Sequence, residues 1–175
     1  MTKSPALVPL IALILGLAAC ATVPRVEAAG DIHAFLVSIR DGDRAAFDAH
    51  VDREALKANL RARVMAAAGR AETGDAGVGA QALGVLLAGP LVDLATDALL
   101  RPEVFRAIAE DRGYSPDRPL PSSLAIAQFV RPLGAGLVCV VTKKDGPCLL
   151  DFKDEDGVYR LSGYEGDLAM LRPKR

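Results

Sequence analysis

The sequence has no tryptophan, only two histidines and three cysteines, and aromatic residues make up 5% of it. So few histidines leave little material for imidazole-based acid–base or metal chemistry. The formal net charge is −1, so the chain has neither the basic excess of a nucleic-acid-binding protein nor the acidic blocks of a disordered one. Hydrophobic residues make up 51%, which is enough for a core. With few aromatic side chains, we expect that core to consist mainly of Ala, Leu and Val.

The first twenty residues are arranged like a secretory signal. Lys3 provides a positive start, residues 7–15 are apolar apart from Pro9, and small residues lead up to Cys20. The closing Leu-Ala-Ala-Cys resembles the lipobox of bacterial lipoproteins. That resemblance implies cleavage before the cysteine and acylation of Cys20, which would anchor the chain in a lipid bilayer. A retained membrane span is the alternative, because the uncharged run over residues 4–24 is about 20 residues long.

The same resemblance carries expectations about processing and location. A signal peptide of residues 1–19 would leave 156 of the 175 residues, which suits a single domain. The mature protein would lie in the cell envelope, lipid-anchored and facing the periplasm, and Ala21 after the cysteine resembles the outer-membrane type. Residues 20–30 show no hydrophobic periodicity and are predicted to be a tether, with a reach of at most about 35 Å when extended.

The first part of the domain, residues 31–113, has helical patterning. One apolar stripe at helical spacing opens it: Ile32, Phe35, Leu36 and Ile39. Asp43 and Asp52 are predicted to cap the second and third helices, the third covering residues 53–71. Pro102 is predicted to open a later helix, because proline is well tolerated in the first turn.

Residues 76–92 form a run of 17 consecutive uncharged residues that is rich in glycine and interrupted by Pro90. An all-round apolar helix is usually buried in a core. The alternative is a helix that contacts lipid or a partner protein, because the anchor would hold the domain near a bilayer. The candidate contact residues on it are Val78, Leu83, Leu86, Leu87 and Leu91.

The second part of the domain, residues 114–171, begins with a proline-rich linker, after which the hydrophobic period changes to two. The predicted strands cover residues 124–131, 135–142, 147–153 and 158–164, and a short fifth strand is a candidate at 168–171. Asp-Gly pairs at 145–146 and 156–157 are typical of hairpin turns. The sequence therefore predicts an α+β fold, with N-terminal helices packed on one face of a C-terminal antiparallel β-meander of about four strands.

Three stretches together are similar to a bacterial protein family of unknown function, DUF2939. They are DGDRAAFDAHVDREALKANLRARV, LGVLLAGPLVDLATDALLRPEVF, and the last strands ending in VYRLSGY. The resemblance covers most of residues 31–171, although Val158-Tyr159 stands where the family pattern has a tryptophan. The matching positions are helix caps, a proline break and helix starts. The resemblance therefore implies the fold and no activity.

Cys139 and Cys148 form an even pair in a chain predicted to be exported, where disulfides persist. With a four-residue loop between the strands they would be diagonal neighbours, with Cα atoms about 7–8 Å apart, which is too far for a good bridge. A longer loop or a bulge would bring them opposite each other. A disulfide and two buried free thiols both remain open from the sequence.

The sequence contains no recognisable catalytic or metal-binding motif. His33 and His50 lack metal-ligand spacing, and no nucleophile motif accompanies them. Asp93 and Asp97 share one helix face, but Arg101 continues that row and offers Asp97 a local ion pair. We therefore expect no enzyme activity, no cofactor, no metal and no nucleic-acid partner, with a hydrolase of unrecognised type as the remaining alternative.

The function expected from the sequence is a non-catalytic envelope lipoprotein whose domain contacts a protein partner or the membrane surface. The alternative is a domain that binds a small apolar ligand or lipid in a pocket between the sheet and the helices. A closed and filled interface would exclude the pocket, whereas a cavity of about 300 Å³ or more lined by apolar side chains would favour it.

Overall fold

The computed structural model describes residues 7–71, 94, 97, 98 and 100–167. The helices with described bounds are α1 (Leu7–Asp41), α2 (Arg44–Ala49), α3 (Arg53–Ala71), α4 (Pro102–Asp111) and α5 (Ser123–Ala127). The strands that follow are β1 (Val130–Gly134), β2 (Leu137–Val141), β3 (Cys148–Glu155) and β4 (Val158–Tyr164). The α+β fold class is therefore confirmed.

Two aspartates cap the helices that follow α1. The carboxylate of Asp43 accepts a hydrogen bond from the Ala46 N–H at 3.0 Å, and that of Asp52 accepts one from the Ala55 N–H at 3.0 Å. Gly42 separates α1 from α2 with a φ of +69°, a conformation that glycine adopts at little cost. Both predicted caps are confirmed.

The segment predicted to be an unstructured tether is helical, because α1 continues through residues 23–30. Ala28 and Ala29 are fully buried. Ala28 precedes Ile32 by four residues and therefore lies on the same helix face, which the core covers. The prediction was wrong because the buried face of α1 continues through alanines, which give no strong hydrophobic periodicity in the sequence.

The helical segment shortens the distance between the candidate anchor and the core. At 1.5 Å of rise per residue, Ala28 lies about 12 Å along the axis from Cys20. Pro24 lies within α1 and has no N–H to donate to the carbonyl of Cys20. The helix therefore lacks one backbone hydrogen bond at the residue where the predicted mature chain would begin.

Pro102 opens α4 as predicted, and Gly113, with a φ of +90°, follows its end. Leu100, just before the helix, is only 2% exposed. The apolar run over residues 76–92 and the candidate strand at 168–171 lie outside the described residues.

The first predicted strand, residues 124–131, is wrong over most of its length. A short helix, α5, occupies its start, and the strand begins only at Val130. The Ser122 hydroxyl accepts a hydrogen bond from the Ala125 N–H at 3.3 Å and caps this helix. An alternation of apolar residues over so short a segment fits one turn of helix as well as a strand. The Ser122 cap, and the helix propensity of the leucine and alanines after it, favour the helix.

The sheet is an antiparallel meander in the order β1-β2-β3-β4. Val138, Phe152 and Leu161 are neighbours in register across three strands, and each is almost fully buried. Phe35 of α1 packs on this row, its ring centroid 5.9 Å from that of Phe152. The helices therefore cover this face of the sheet, as predicted.

An aromatic cluster lies at the centre of the core. The Phe35 ring centroid is 5.4 Å from that of Phe47 and 5.9 Å from that of Phe105, in addition to its contact with Phe152. Four of the five phenylalanines thus meet in one place. The expectation of a core made mainly of Ala, Leu and Val is corrected in this respect, because the few aromatic residues are concentrated at its centre.

The chain between α2 and α3 protects the outer edge of β4. The Leu161 N–H donates to the His50 carbonyl at 2.9 Å, and the Asp52 N–H donates to the Leu161 carbonyl at 3.0 Å. Val51 between them forms a parallel bridge with Leu161. The start of α3 is therefore attached directly to the sheet edge.

Candidate functional site

Three adjoining cavities lie between the sheet and the helices, with volumes of about 300, 270 and 170 Å³. Leu150 of β3 lines all three, and Phe105 of α4 lines the first and the third. Their walls therefore adjoin one another rather than lying in separate parts of the core. We refer to the three cavities together as the apolar groove.

The innermost cavity of the apolar groove, about 170 Å³, lies between α3, α4 and β4. Its walls include Leu56, Leu60, Leu161 and Tyr164. The cavity of about 270 Å³ lies between α1, α5 and β2, where Phe129 and Thr142 line it. Carbon surface dominates both cavities, so neither could hold a polar ligand without leaving its polar groups unpaired.

The largest cavity, about 300 Å³, lies between α1, α4 and the linker that follows α4. Leu36 and Ile39 form its α1 wall. Arg40 and Tyr114 also line it and are the polar side chains of an otherwise apolar surface. Ligand pockets usually begin at about 300 Å³ and combine apolar walls with a few polar groups, so this cavity has the expected character.

The opposite face of the sheet carries the predicted cysteine pair. Cys139 and Cys148 are joined in a disulfide, with their Cα atoms 5.5 Å apart. A β-bulge makes this possible, because Val140 pairs with Leu150 while Val141 pairs with Cys148, leaving Leu149 as an extra residue. Cys148 therefore lies on the sheet face opposite to that of Leu150.

Two charged residues flank the disulfide in the same row across the strands. Arg131 of β1 and Asp151 of β3 are the register partners of Cys139 on either side. The Arg131 guanidinium lies 3.2 Å from the Cys148 sulfur and 3.8 Å from the Cys139 sulfur. Burial raises the pKa of the Asp151 carboxyl, and the charge of Glu165 adds to this rise, whereas Arg63 opposes it.

The Asp151 carboxylate and the two cysteine sulfurs lie close together, which raises the question of whether they could bind a metal ion. One ligand atom from each of Cys139, Cys148 and Asp151 lies within 4.8 Å of the other two. A sulfur in a disulfide is not a thiolate, and the thiolate is the form that binds a metal. The guanidinium of Arg131 beside the sulfurs also opposes a cation, so the arrangement is a bridged sheet face rather than a metal centre.

A polar contact network that the sequence did not indicate joins α3 to the end of β4. Arg63 donates to the Glu165 carboxylate at 2.6 Å and to the Gly166 carbonyl at 2.7 Å. Asn59 accepts from the Tyr164 N–H at 3.0 Å through its side-chain oxygen. Because these partners are about a hundred residues apart in the chain, no local sequence signal could have identified the network.

The two histidines and the Asp97 side chain lie apart from one another. The ring nitrogen Nδ1 of His33 lies 2.9 Å from the Pro121 carbonyl, and that of His50 lies 2.8 Å from the Ala46 carbonyl. The Asp97 carboxylate forms an ion pair with the Lys57 ammonium of α3 at 2.7 Å, and not the local pair expected with Arg101. These contacts give each residue a structural role.

Cys20 lies within α1, but its side chain is outside the part of the structure that is described. The candidate apolar contact residues Val78, Leu83, Leu86, Leu87 and Leu91 are likewise outside the described residues. Within the described part of the chain, no helix has both the length and the apolar character needed to cross a membrane.

A family model described as a protein of unknown function, DUF2939, matches residues 13–108, which is more than half of the chain. The chain belongs to the DUF2939 family. The DUF2939 match includes most of α1, all of α2 and α3, and α4 as far as Ile108. It ends before β1, so the strands that contributed to the resemblance lie beyond the DUF2939 match. No curated protein and no solved structure matched the chain.

Proposed function

We propose that this DUF2939 protein is a lipid-anchored protein of the cell envelope whose domain binds an apolar ligand. Acylated Cys20 would hold it in the membrane, with the domain facing the periplasm and Ala21 favouring the outer membrane. The sequence left two functions open, contact with a protein partner or membrane surface and binding of an apolar ligand, and we favour ligand binding. The observation that carries this choice is the apolar groove, with three adjoining cavities that all contact Leu150.

The chemistry of the apolar groove supports binding rather than catalysis. The walls offer carbon surface for an acyl or other hydrocarbon chain, and burying each methylene of such a chain contributes about 0.8 kcal/mol. Neither histidine lines the groove: His33 contacts the backbone carbonyl of Pro121 at the edge of the largest cavity, and His50 contacts that of Ala46. A ligand held in this way would be retained unchanged, and no cofactor or metal enters the proposal.

The helical segment of α1 after Cys20 supports the proposed position of the domain. A rise of about 12 Å between Cys20 and the buried Ala28 would keep the groove near the membrane surface. A ligand taken from the bilayer would then have a short path to the protein. The Cys20→Ser variant tests the anchor: it should lose the acyl mass. An acyl modification that persists in this variant, or an uncut signal segment in the wild-type protein, would contradict it.

Native mass spectrometry of the full-length protein, released gently from membranes, tests the groove. We expect an additional mass in the range of a single-chain or double-chain lipid, which dissociates on collisional activation. Leu150→Trp should remove this mass, because Leu150 lines all three cavities and the larger ring would occupy space in them. Leu133→Trp is the matched control, because Leu133 is 48% exposed on β1 and does not line the groove.

Overpacking a core commonly costs about 1–3 kcal/mol, so the folded state of Leu150→Trp must be checked by thermal unfolding. A wild-type protein that carries no ligand, or a ligand equally retained by both tryptophan variants, would refute binding in the groove. Binding of a peptide or a protein in the apolar groove, in place of a ligand, would support the other function expected from the sequence, contact with a protein partner.

A further inference from the structure

Two of the residues that line the largest cavity of the apolar groove have polar side-chain ends, and they bear on what kind of ligand fits. Arg40 and Tyr114 stand on its wall among side chains such as Leu36, Phe105 and Leu120. An apolar chain alone would gain nothing from a guanidinium and a phenol. An amphiphile would place its polar head at these two residues and its tail along the rest of the groove.

Asp41 engages only part of the donor capacity of the Arg40 guanidinium. Its Nε lies 2.7 Å from one oxygen of Asp41, and one terminal nitrogen lies 3.2 Å from the other oxygen. A guanidinium has five N–H donors, and this pairing engages two of them. The Arg40 side chain is 37% exposed, so a ligand can approach it from the open side of the cavity.

A second guanidinium lies near Arg40. Arg106 of α4 donates to the Ile39 carbonyl at 3.0 and 3.1 Å, next to Arg40 in the chain. Hydrogen bonding to Arg40 lowers the pKa of Asp41, and the charge of Arg106 lowers it further, which places both guanidinium groups near one carboxylate.

The Tyr114 hydroxyl provides a second, independent observation. Its oxygen is buried and has no hydrogen-bond partner among the residues that the structure describes. A buried hydroxyl without a partner is costly, so an acceptor that reached it would be bound favourably. A ligand oxygen entering the cavity would have to part the side chains that cover this hydroxyl, and it would then satisfy it.

We propose that the apolar groove binds a long-chain fatty acid, with its carboxylate at Arg40 and Tyr114. The proposal rests on the apolar-ligand function proposed above and names the ligand class of that site. A carboxylate matches the planar fork of a guanidinium. The acyl chain then passes Phe105 and Leu150 toward the inner cavity beside Leu161.

The test uses the full-length protein in its own membranes, with two photoactivatable probes of equal chain length. One probe is a hexadecanoic acid carrying a diazirine and an alkyne, and the other is the corresponding alcohol. After irradiation, labelled peptides are mapped by mass spectrometry, and unlabelled hexadecanoic acid is added in competition. We expect both probes to label residues of the groove and the acid to label at lower concentration.

Variants then separate the head-group contact from the groove itself. Arg40→Gln should weaken fatty-acid labelling about tenfold, and Tyr114→Phe should weaken it several-fold, because each removes a donor to the carboxylate. Neither variant should change labelling by the alcohol more than about twofold, since the acyl tail contacts remain. Arg44→Gln is the matched control, because Arg44 is an exposed arginine on α2 that does not line the groove.

The outcomes separate two claims: that the ligand has a carboxylate head group, and that the apolar groove binds a ligand. Equal labelling by both probes, unaffected by Arg40→Gln and Tyr114→Phe, would refute the carboxylate assignment while leaving the apolar groove as a binding site. Displacement of the acid by a lysophospholipid at lower concentration would also refute it, in favour of a phosphate head group. Absence of groove labelling by either probe would refute the proposed function as well.

Discussion

Cys139 of β2 and Cys148 of β3 lie on the same face of the sheet only because Leu149 forms a bulge next to Cys148. Without the bulge, the alternation of a strand would place Cys148 on the helix-covered side, together with Leu150. With it, the Cα atoms of the two cysteines lie 5.5 Å apart and the disulfide closes the hairpin. The bulge thus allows one strand to contribute both to the bridged face and to the apolar groove.

Removing the disulfide should lower the stability of the sheet. The bridge joins residues separated by nine positions, and the loop-entropy relation gives a contribution of about 2–3 kcal/mol for such a loop. Cys139→Ala combined with Cys148→Ser should therefore lower the midpoint of thermal unfolding by about 4–12 °C. The wild-type protein treated with a reducing phosphine should shift similarly, whereas the double variant should not respond to the phosphine. A wild-type midpoint insensitive to complete reduction would contradict a stabilising bridge.

The Asp52 cap should matter more than an exposed aspartate. Asp52 caps α3 with its side chain and joins the sheet edge through its N–H. Asp52→Ala should destabilise the fold by about 0.5–2 kcal/mol, because one N–H at the start of α3 loses its partner. Asp52→Ser keeps a capping oxygen and should recover most of the loss in denaturant unfolding. Equal destabilisation by both substitutions would show that the cap is not the cause.

The aromatic cluster should be the most sensitive part of the core. Phe47 is fully buried, and its ring centroid lies 5.4 Å from that of Phe35 and 5.3 Å from that of Phe105. Phe47→Ala should cost about 3–5 kcal/mol, because it removes these contacts and leaves a cavity. Phe129→Ala is the control and should cost clearly less, because Phe129 is 42% exposed. Urea unfolding of the two variants measures the difference, and a similar cost for both would contradict the central role of the cluster.

Because of the partly buried Asp151 carboxyl, the free energy of unfolding should fall as the pH rises above about 4. Burial raises its pKa in the folded state above the ordinary value of 3.8, so the folded protein holds this proton more tightly than the unfolded chain does. The resulting stabilisation is complete below about pH 4 and is lost as the pH rises through the folded-state pKa.

Asp151→Asn removes the pH dependence of stability that comes from this carboxyl. The stability of the variant relative to the wild type should therefore be greater at pH 7 than at pH 4. Thermal unfolding midpoints at both pH values measure the gain. Asp156→Asn, in the exposed turn between β3 and β4, is the control and should leave the difference between the two pH values nearly unchanged. A variant that tracks the wild type at both pH values would show that the buried carboxyl does not contribute.

The local features of this fold could be predicted from the sequence because each depends on neighbouring residues. The Asp43 and Asp52 caps, the stop at Gly42 and the opening of α4 by Pro102 follow from backbone donors and φ preferences within a few positions. The short stretch after Ser122 was mispredicted because four alternating residues satisfy one helical turn as well as a strand. A cap hydrogen bond then decided between them.

The sequence by itself determined the order of helices before strands, the hairpin turns and the apolar faces, since these follow from the period of hydrophobic residues. Only the tertiary structure decided which side of the sheet Cys148 occupies, because one bulge reverses the alternation. It also decided that Arg40 and Tyr114, seventy-four positions apart, line one cavity with Leu150. Such groups meet through the packing of α1, α4 and β3, which no local pattern encodes.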